Sequence, residues 1–440
     1  MRSFRKLQVA AFALLPLCMT LPTEADEIGS AITTASIQVL SATVKDKPIP
    51  GADVIFQKNG QNSVTTRTDA GGKAAIATNY GVDDNTVLMI IKTPGYSTLV
   101  VKCPCGGLTY ALSETMTQLD GMRIVLTWGG HPNDLDAHLA VDDNRDRYHR
   151  RYHIWYEQKW TEFARLDVDS RNGYGPETIT IDRRQNDASY LYAVHTFNDD
   201  WVGQQEPVPY SSLARVQVYV GDSLVRTYYF RPGRTDTLLY LFGINEQGEI
   251  FDINQSQAGV RQTNIRGEQA VQMAMYDKIQ DFSLPKSANQ PVVHDETTSG
   301  AFALGTPKAD IARSLNLKGE AAYHRGDLED AISLYHQALD SDPEYAQAYS
   351  NLGLAYQKSG RIPEALWANR RAIATADGTT RHVVRASSYY NIARIYEARN
   401  DLESAILNYR WAQQENPKQV YMDAIHRTST ARARKQRNRL

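Results

Sequence analysis

The stretch WGGHPNDLDAHL, Trp128 to Leu139, places two histidines and two aspartates within twelve residues. Alternate residues of a strand share a face, so Asp134, Asp136 and His138 point together while Leu135, Ala137 and Leu139 enter a core. Farther on, LDVDSRNGYGPE repeats the device. There Asp167 and Asp169 share a face opposite Leu166 and Val168, and Gly173 and Gly175 turn the chain ahead of Pro176-Glu177. Asp134, Asp136, Asp167, Asp169 and Glu177, with Asn133 beside them, form a candidate hard-cation site. Calcium is the candidate ion, because it takes about 6–8 oxygen ligands and is abundant outside the cytoplasm. The plainer alternative is that these aspartates face water or cap turns at strand ends.

Other chemistries fit less well. His149 and His153 are four apart and His131, His138 and His195 are candidates to join them, but HExxH is absent and no cysteine has metal-type spacing. A glycosidase-type carboxylate pair needs a separation of about 5–10 Å, which spacing along the chain does not fix. Nucleophile-elbow, phosphate-loop and dinucleotide motifs are all missing. The sequence therefore reads as a non-enzyme, with a metal-dependent hydrolase third in rank. The segment RYHRRYHIWYEQKW mixes arginine and aromatic rings, which suits stacking on a glycan; its alternative is a hairpin with an aromatic face on a sandwich. Net charge of −2 over 440 residues argues against a nucleic-acid partner.

Two runs of short strands would position these residues. From Ser36 to Lys102, SIQVLSATV, ADVIF, KAAIAT, TVLMIIK and YSTLVVK alternate with turn segments, which predicts a small antiparallel sandwich. Gly51-Ala52-x-Val54, Thr68-Asp69-Ala70-x-Gly72 and Gly95-Tyr96 resemble the carboxypeptidase regulatory-like domain, a resemblance that implies an accessory or adhesive spacer. Between Gly121 and Asn254, MRIVLTW, LDAHLAV, ETITI, SYLYAVHTF, ARVQVYV, LVRTYYF and LLYLFGI predict a second sandwich. In ARVQVYV, Val216, Val218 and Val220 face one way and Arg215, Gln217 and Tyr219 the other. L-T-W-x5-D-L-D-x-H and D-V-D-x3-G-x-G-P-E together resemble the YfaP-like domain of exported bacterial proteins over residues 118 to 254. That resemblance implies a fold and an envelope location but no reaction.

The C-terminal third repeats itself. Gly319, Gly326, Ala331, Tyr335, Ala338 and Pro343 recur as Gly353, Gly360, Ala365, Asn369, Ala372 and Asp377, and again as Ala393, Asn400, Ala405, Tyr409, Ala412 and Pro417. This is the tetratricopeptide pattern: small residues let paired helices approach, an aromatic fills the gap, and proline ends the second helix. The third copy is offset by six extra residues, assigned to an inter-repeat loop in DGTTRHVVR. The first helices of the repeats would line a groove for a protein partner with Asn316, Glu320, Tyr323, His324, Ser350, Asn351, Leu354, Gln357, Lys358, Tyr390, Arg394 and Glu397. Members that clamp a C-terminal carboxylate use lysines and asparagines at set groove positions. Asn351 falls at one, but the lysines are missing.

Arg2, Arg5 and Lys6 ahead of VAAFALLPLC read as an export signal, with cleavage after Ala25. Cys103 and Cys105 are then the remaining thiols, expected as a local clip ending a strand whose Cα separation would lie near the upper limit for a bridge; spacing alone leaves open whether they pair. The predicted architecture is a signal peptide (1–25), a regulatory-like β-sandwich (26–116), a YfaP-like β-sandwich (117–256), a linker (257–308), a three-repeat tetratricopeptide helical solenoid (309–420) and a capping helix with a basic tail (421–440). Part of the linker, GEQAVQMAMYDKI, has the pattern of one amphipathic helix. The predicted function is that of an exported, non-catalytic scaffold or adaptor, periplasmic or at the cell surface, without a transmembrane segment. Its alternative is a calcium-dependent surface-binding or adhesion protein acting through the second sandwich.

Overall fold

A computed structural model describes residues 33–82, 84–144, 150–197, 213–230, 238–257, 265–283 and 307–437. The proposed signal segment, His149 and linker residues 284–306 lie outside them.

The first sandwich has seven strands: β1 (Thr33–Ser41), β2 (Asp53–Gln57), β3 (Val64–Arg67), β4 (Lys73–Thr78), β5 (Leu88–Lys92), β6 (Leu99–Lys102) and β7 (Thr109–Leu112). They form sheets ordered β4-β1-β7 and β3-β2-β5-β6. All pairs are antiparallel except β1 with β7. Alternation sets the faces: in KAAIAT the second, fourth and sixth residues are buried. Val39, Val54, Phe56, Met89, Ile91 and Tyr110 meet between the sheets. At Gly72, φ is +74° and an added Cβ would lie 2.4 Å from the Val39 carbonyl oxygen, so this turn requires glycine. Asp69 Oδ1 accepts from the Gly71 and Lys73 amides at 2.9 and 2.8 Å, which closes the same turn.

Cys103 and Cys105 are bonded, with Cα atoms 4.5 Å apart. The expected wide separation assumed an extended strand. β6 instead ends at Lys102 and the pair lies in the following turn, at the short end of the bridging range.

The second sandwich contains β8 (Met122–Thr127), β9 (Leu135–Asp143), β10 (Arg150–Ile154), β11 (Ala164–Val168), β12 (Glu177–Ile181), β13 (Ala188–Thr196), β14 (Arg215–Val220), β15 (Ser223–Tyr229), β16 (Leu238–Ile244) and β17 (Ile250–Gln257). Its sheets run β10-β9-β13-β16-β17 and β11-β12-β8-β14-β15. Leu135, Ala137, Leu139, Tyr190, Tyr192, Val216 and Val218 fill the space between them. The aromatic-basic insertion supplies β10, an edge strand on β9.

Both outer faces of this sandwich are covered. Tyr219 packs with Ala42 and Ala111 of the first sandwich, and Arg215 lies over the Tyr110 ring at 5.0 Å. Arg123 donates to Ser113 Oγ and the Glu114 carbonyl at 2.9 and 2.7 Å. On the opposite sheet sits α1 (Ile265–Ser283), whose Val271, Met275 and Ile279 pack on Ala140, Leu191, Ala193 and Tyr240. Within the expected 257–308 linker, β17 carries the sandwich through Gln257, and the helix expected in GEQAVQMAMYDKI is α1, a packed layer because its apolar stripe has a sheet face to cover.

The helical region comprises α2 (Pro307–Arg325), α3 (Leu328–Ser341), α4 (Ala346–Lys358), α5 (Ile362–Thr375), α6 (Arg381–Ala398), α7 (Leu402–Glu415) and α8 (Gln419–Arg437). Gly319 packs against the Tyr335 ring, and a Cβ there would stand 2.6 Å from it. The six extra residues are not simply loop: they form a 3-10 turn, Gly378–Thr380, and lengthen α6 to 18 residues against 13 in α4. α8 likewise runs on through the basic residues as far as Arg437. Among the described residues no helix is long and apolar enough to cross a membrane.

Candidate functional site

Two places carry the residues singled out by sequence. The first is the face made by α2, α4 and α6. Leu354, Gln357, Tyr323 and Tyr390 are half-buried there, and Lys358, His324 and Arg394 are exposed. The Lys358 ammonium lies 4.7 Å from the centre of the Tyr323 ring. Other expected groove residues are committed to holding the stack. Asn316, Ser350 and Asn351 are buried. Asn351 Nδ2 donates to Asn316 Oδ1 at 3.0 Å and to Glu320 Oε1 at 2.8 Å, which ties α4 to α2. Ser350 Oγ is 3.1 Å from Ser388 Oγ of α6. Glu397 accepts from Tyr409 at 2.6 Å and from Arg427 of α8 at 2.9 and 3.0 Å. Polarity along a helix does not distinguish a ligand-facing side chain from one that bridges neighbouring helices.

The opposite face of the stack is taken by the second sandwich. Arg370 of α5 donates to Asp120, and Tyr396 of α6 donates to the other oxygen of the same carboxylate. Burial by itself would raise the Asp120 carboxyl, but the Arg370 charge and hydrogen bond outweigh it and hold it below the ordinary range. Arg371 donates to the Ile250 carbonyl at 2.8 Å, and Arg385 and Tyr389 donate to Glu249 at 2.8 and 3.1 Å. At the β14–β15 turn, Ser223 donates to Glu364 at 3.1 Å. The Glu364 carboxyl is pushed up to about 7 by burial and then by its hydrogen bond with Asp222. None of these contacts was legible in the sequence, because each joins segments more than a hundred residues apart.

The second place is one end of the second sandwich, where the loops 128–134 and 169–176 lie together. Trp128 Nε1 donates to the Pro132 carbonyl at 2.9 Å, Gly173 N to the Asn133 carbonyl at 2.7 Å and Tyr174 N to the Gly129 carbonyl at 2.8 Å. Here one carboxylate oxygen from each of Asp134, Asp136 and Glu177 lies within 4.8 Å of the others. Glu177 starts β12 yet reaches to the other sheet: its Oε1 accepts from the Ala137 amide at 2.7 Å. Its Oε2 is buried with no hydrogen-bond partner among the described residues. Burial, then the Asp136 charge, raise the Glu177 carboxyl well above its ordinary value; Asp134 and Asp169 act in the same direction. Asp169 is held by Lys159 at 2.7 Å and Arg171 at 3.4 Å.

Of the five expected residues, Asp134, Asp136 and Glu177 come within this distance; Asp169 is near enough for its charge to act on Glu177, and Asp167 is engaged elsewhere. β11 stops at Val168, and a register shift against β12 falls between Leu166 and Val168, so the strand alternation does not extend to Asp169. Asp167 instead accepts from Arg165 at 2.7 Å and from Thr180.

Strand pairing brings three of the histidines weighed for zinc, His138, His153 and His195, together beside Asp136. Asp136 pairs with His195, and Ala140 with His153. One ligand atom from each of Asp136, His138 and His195 lies within 4.8 Å of the others, so Asp136 belongs to both sets. His138 Nδ1 is 2.9 Å from His153 Nε2, and the His153 ring stacks on Trp155 at 5.1 Å. Burial pushes His138 well below its ordinary value, with the His153 and His195 charges adding to it; burial also takes His153 to about 3. Both rings are neutral at pH 7. His131, by contrast, is exposed. The sequence offered His138, His153 and His195 as candidates and put Asp136 and His138 on one face by alternation, but it did not show which of them meet.

A family model described as TPR repeat matches residues 319–360, and one described as Tetratricopeptide repeat matches residues 344–414. No curated protein matches the chain. Among solved structures, the first TPR of Spaghetti (RPAP3) bound to the HSP90 peptide SRMEEVD is 22% identical, over 28% of this chain and 95% of that one, with a TM-score of 0.26. The N-terminal domain of stress-induced protein-1 from C. elegans is 20% identical over 28% and 98%, with a TM-score of 0.27. The first TPR domain of human RPAP3 is 22% identical over 29% and 98%, at 0.27.

Proposed function

We propose that this protein is an exported, non-catalytic adaptor of a bacterial cell envelope, which captures a protein partner in the groove of its tetratricopeptide repeats while its two sandwiches act as the mount. The observation that carries this reading is the division of faces. The stack is anchored to the sandwich through Arg370, Arg371 and Glu364 of α5 and through Arg385, Tyr389 and Tyr396 on one side of α6, whereas α2, α4 and the other side of α6 present half-buried Tyr323, Leu354, Gln357 and Tyr390 with exposed Lys358 and Arg394. A preformed surface of this kind binds an extended segment at little ordering cost. The exposed cations Lys358 and Arg394 favour an acidic one.

Export is supported by the basic-then-apolar pattern of residues 1–25 and by the Cys103–Cys105 bond, which suits an oxidising compartment. The test is site-specific photocrosslinking of the full chain from envelope extracts, with the crosslinker at Leu354 or, as control, at exposed Arg410 on α7. The expected result is one partner crosslinked from Leu354, absent from Arg410, and lost in Arg394→Glu with the melting temperature unchanged. Equal labelling from both positions would refute the groove reading.

A further inference from the structure

We propose that the end of the second sandwich holds one divalent transition-metal ion of the zinc class, bound by Asp136, His138 and His195. The donor set selects the ion: two imidazoles with a carboxylate suit zinc and its neighbours, whereas calcium and magnesium demand oxygen throughout. The three residues come from adjacent strands β9 and β13, and their ligand atoms lie within 4.8 Å of one another.

His138 is arranged as a metal ligand. Its Nδ1 is engaged by His153 Nε2 at 2.9 Å, and the stack of His153 on Trp155 fixes that ring in turn. Its Nε2 is fully buried and has no hydrogen-bond partner among the described residues. A metal-bound histidine has this pattern, with one nitrogen donating to a neighbour and the other left for the ion. With His138 Nδ1–H donating to His153, Nε2 carries the lone pair left for the ion.

Charge and enclosure point the same way. Asp134, Asp136, Asp169 and Glu177 gather four carboxylates, of which Lys159 and Arg171 engage Asp169. A dication beside them would relieve the mutual repulsion that raises the Glu177 carboxyl. Glu177 Oε2, buried and without a partner among the described residues, borders the same Asp136. Asp136, His138, His195 and Glu177 are 2%, 0%, 1% and 0% exposed, so the ion would be enclosed by protein. The ion would clasp β9 and β13 and, through Asp136 and Glu177, draw in β12 of the facing sheet. This site is independent of the repeat groove, and either can fail without the other.

The test uses the full chain, stripped with a chelator and titrated calorimetrically with Zn2+ alone or Ca2+ alone, with a melting curve at each endpoint. One Zn2+ per chain is expected, with a raised melting temperature and affinity about a hundredfold or more above that for Ca2+. His195→Gln should abolish the tight phase. His153→Phe, which removes only the group orienting His138, should weaken it by about 10–100-fold. Absorption of the Co2+-loaded wild-type protein reports nitrogen ligation without relying on any variant folding. Absence of Zn2+ binding and stabilisation in the wild type overturns the proposal. So does Ca2+ binding as tight as Zn2+ and unmoved by His195→Gln, which would mark a carboxylate-only site.

Discussion

The Arg370–Asp120 contact offers the sharpest check on how the repeats are mounted. The two side chains are 7% and 8% exposed, and Arg370 also donates to Tyr396 Oη at 2.9 Å. Arg370→Met would leave Asp120 buried with Tyr396 as its remaining donor among the contacts described. Breaking a buried pair from one side costs about 3–5 kcal/mol, because the abandoned charge keeps its desolvation penalty. Asp120→Asn retains a residue that tolerates the local φ of +66° and should cost about the same. The double variant removes both charges, so it should be less destabilised than the two singles summed, with a coupling energy of about 2–3 kcal/mol. The measurement is urea unfolding of the four proteins by circular dichroism, with hydrogen exchange of α5 and α6 amides to assign the loss to the docked helices. The Asp120 carboxyl is depressed in the folded state, so its contribution is present above about pH 4 and lost as pH falls through the folded value. If the sandwich and the repeats swing apart in solution, both charges are hydrated and each single variant costs under about 1 kcal/mol. Additive singles of that size would refute the docked arrangement.

Other outcomes follow from the same geometry. Gly353→Ala gains about 1 kcal/mol of helix propensity, yet its Cβ would lie 2.2 Å from Asn369 Nδ2. Because Asn369 is buried and bonded to Ala365 and Asn391, we expect net destabilisation of about 1–2 kcal/mol in thermal or urea melts; a stabilised variant would contradict this packing. Glu364 titrates higher folded (about 7) than unfolded, so it stabilises docking below about pH 4.5, and that contribution disappears as pH rises through 7. Glu364→Gln should therefore flatten a slope worth about 1–3 kcal/mol between about pH 5 and 8, measured by α5 hydrogen exchange. Asp167→Asn should cost about 1–2 kcal/mol through Arg165 and Thr180 while leaving Zn2+ affinity unchanged; a lost metal site would return Asp167 to the cluster.

Local periodicity was enough to place most strands and all the repeat helices. A two-residue alternation or a thirty-four-residue repeat is imposed by backbone geometry at every position. It correctly put Leu135, Ala137 and Leu139 in the core opposite Asp136 and His138. It failed where elements end or meet. The expected alternation through Asp167 and Asp169 broke at a bulge and a strand terminus. α1 read as part of a linker because only the sheet beneath it gives its apolar stripe a partner.

By itself, then, the sequence determined the secondary elements, the two sandwiches and the repeat stack, since each depends on neighbours within one turn, one hairpin or one repeat. Tertiary structure alone decided which polar residues bridge domains and which converge. Asp120 meets Arg370, and Asp136 meets His195 and Glu177, across separations that no local pattern encodes. Charge placement at such sites is set by strand order and docking, and these emerge only when the elements pack.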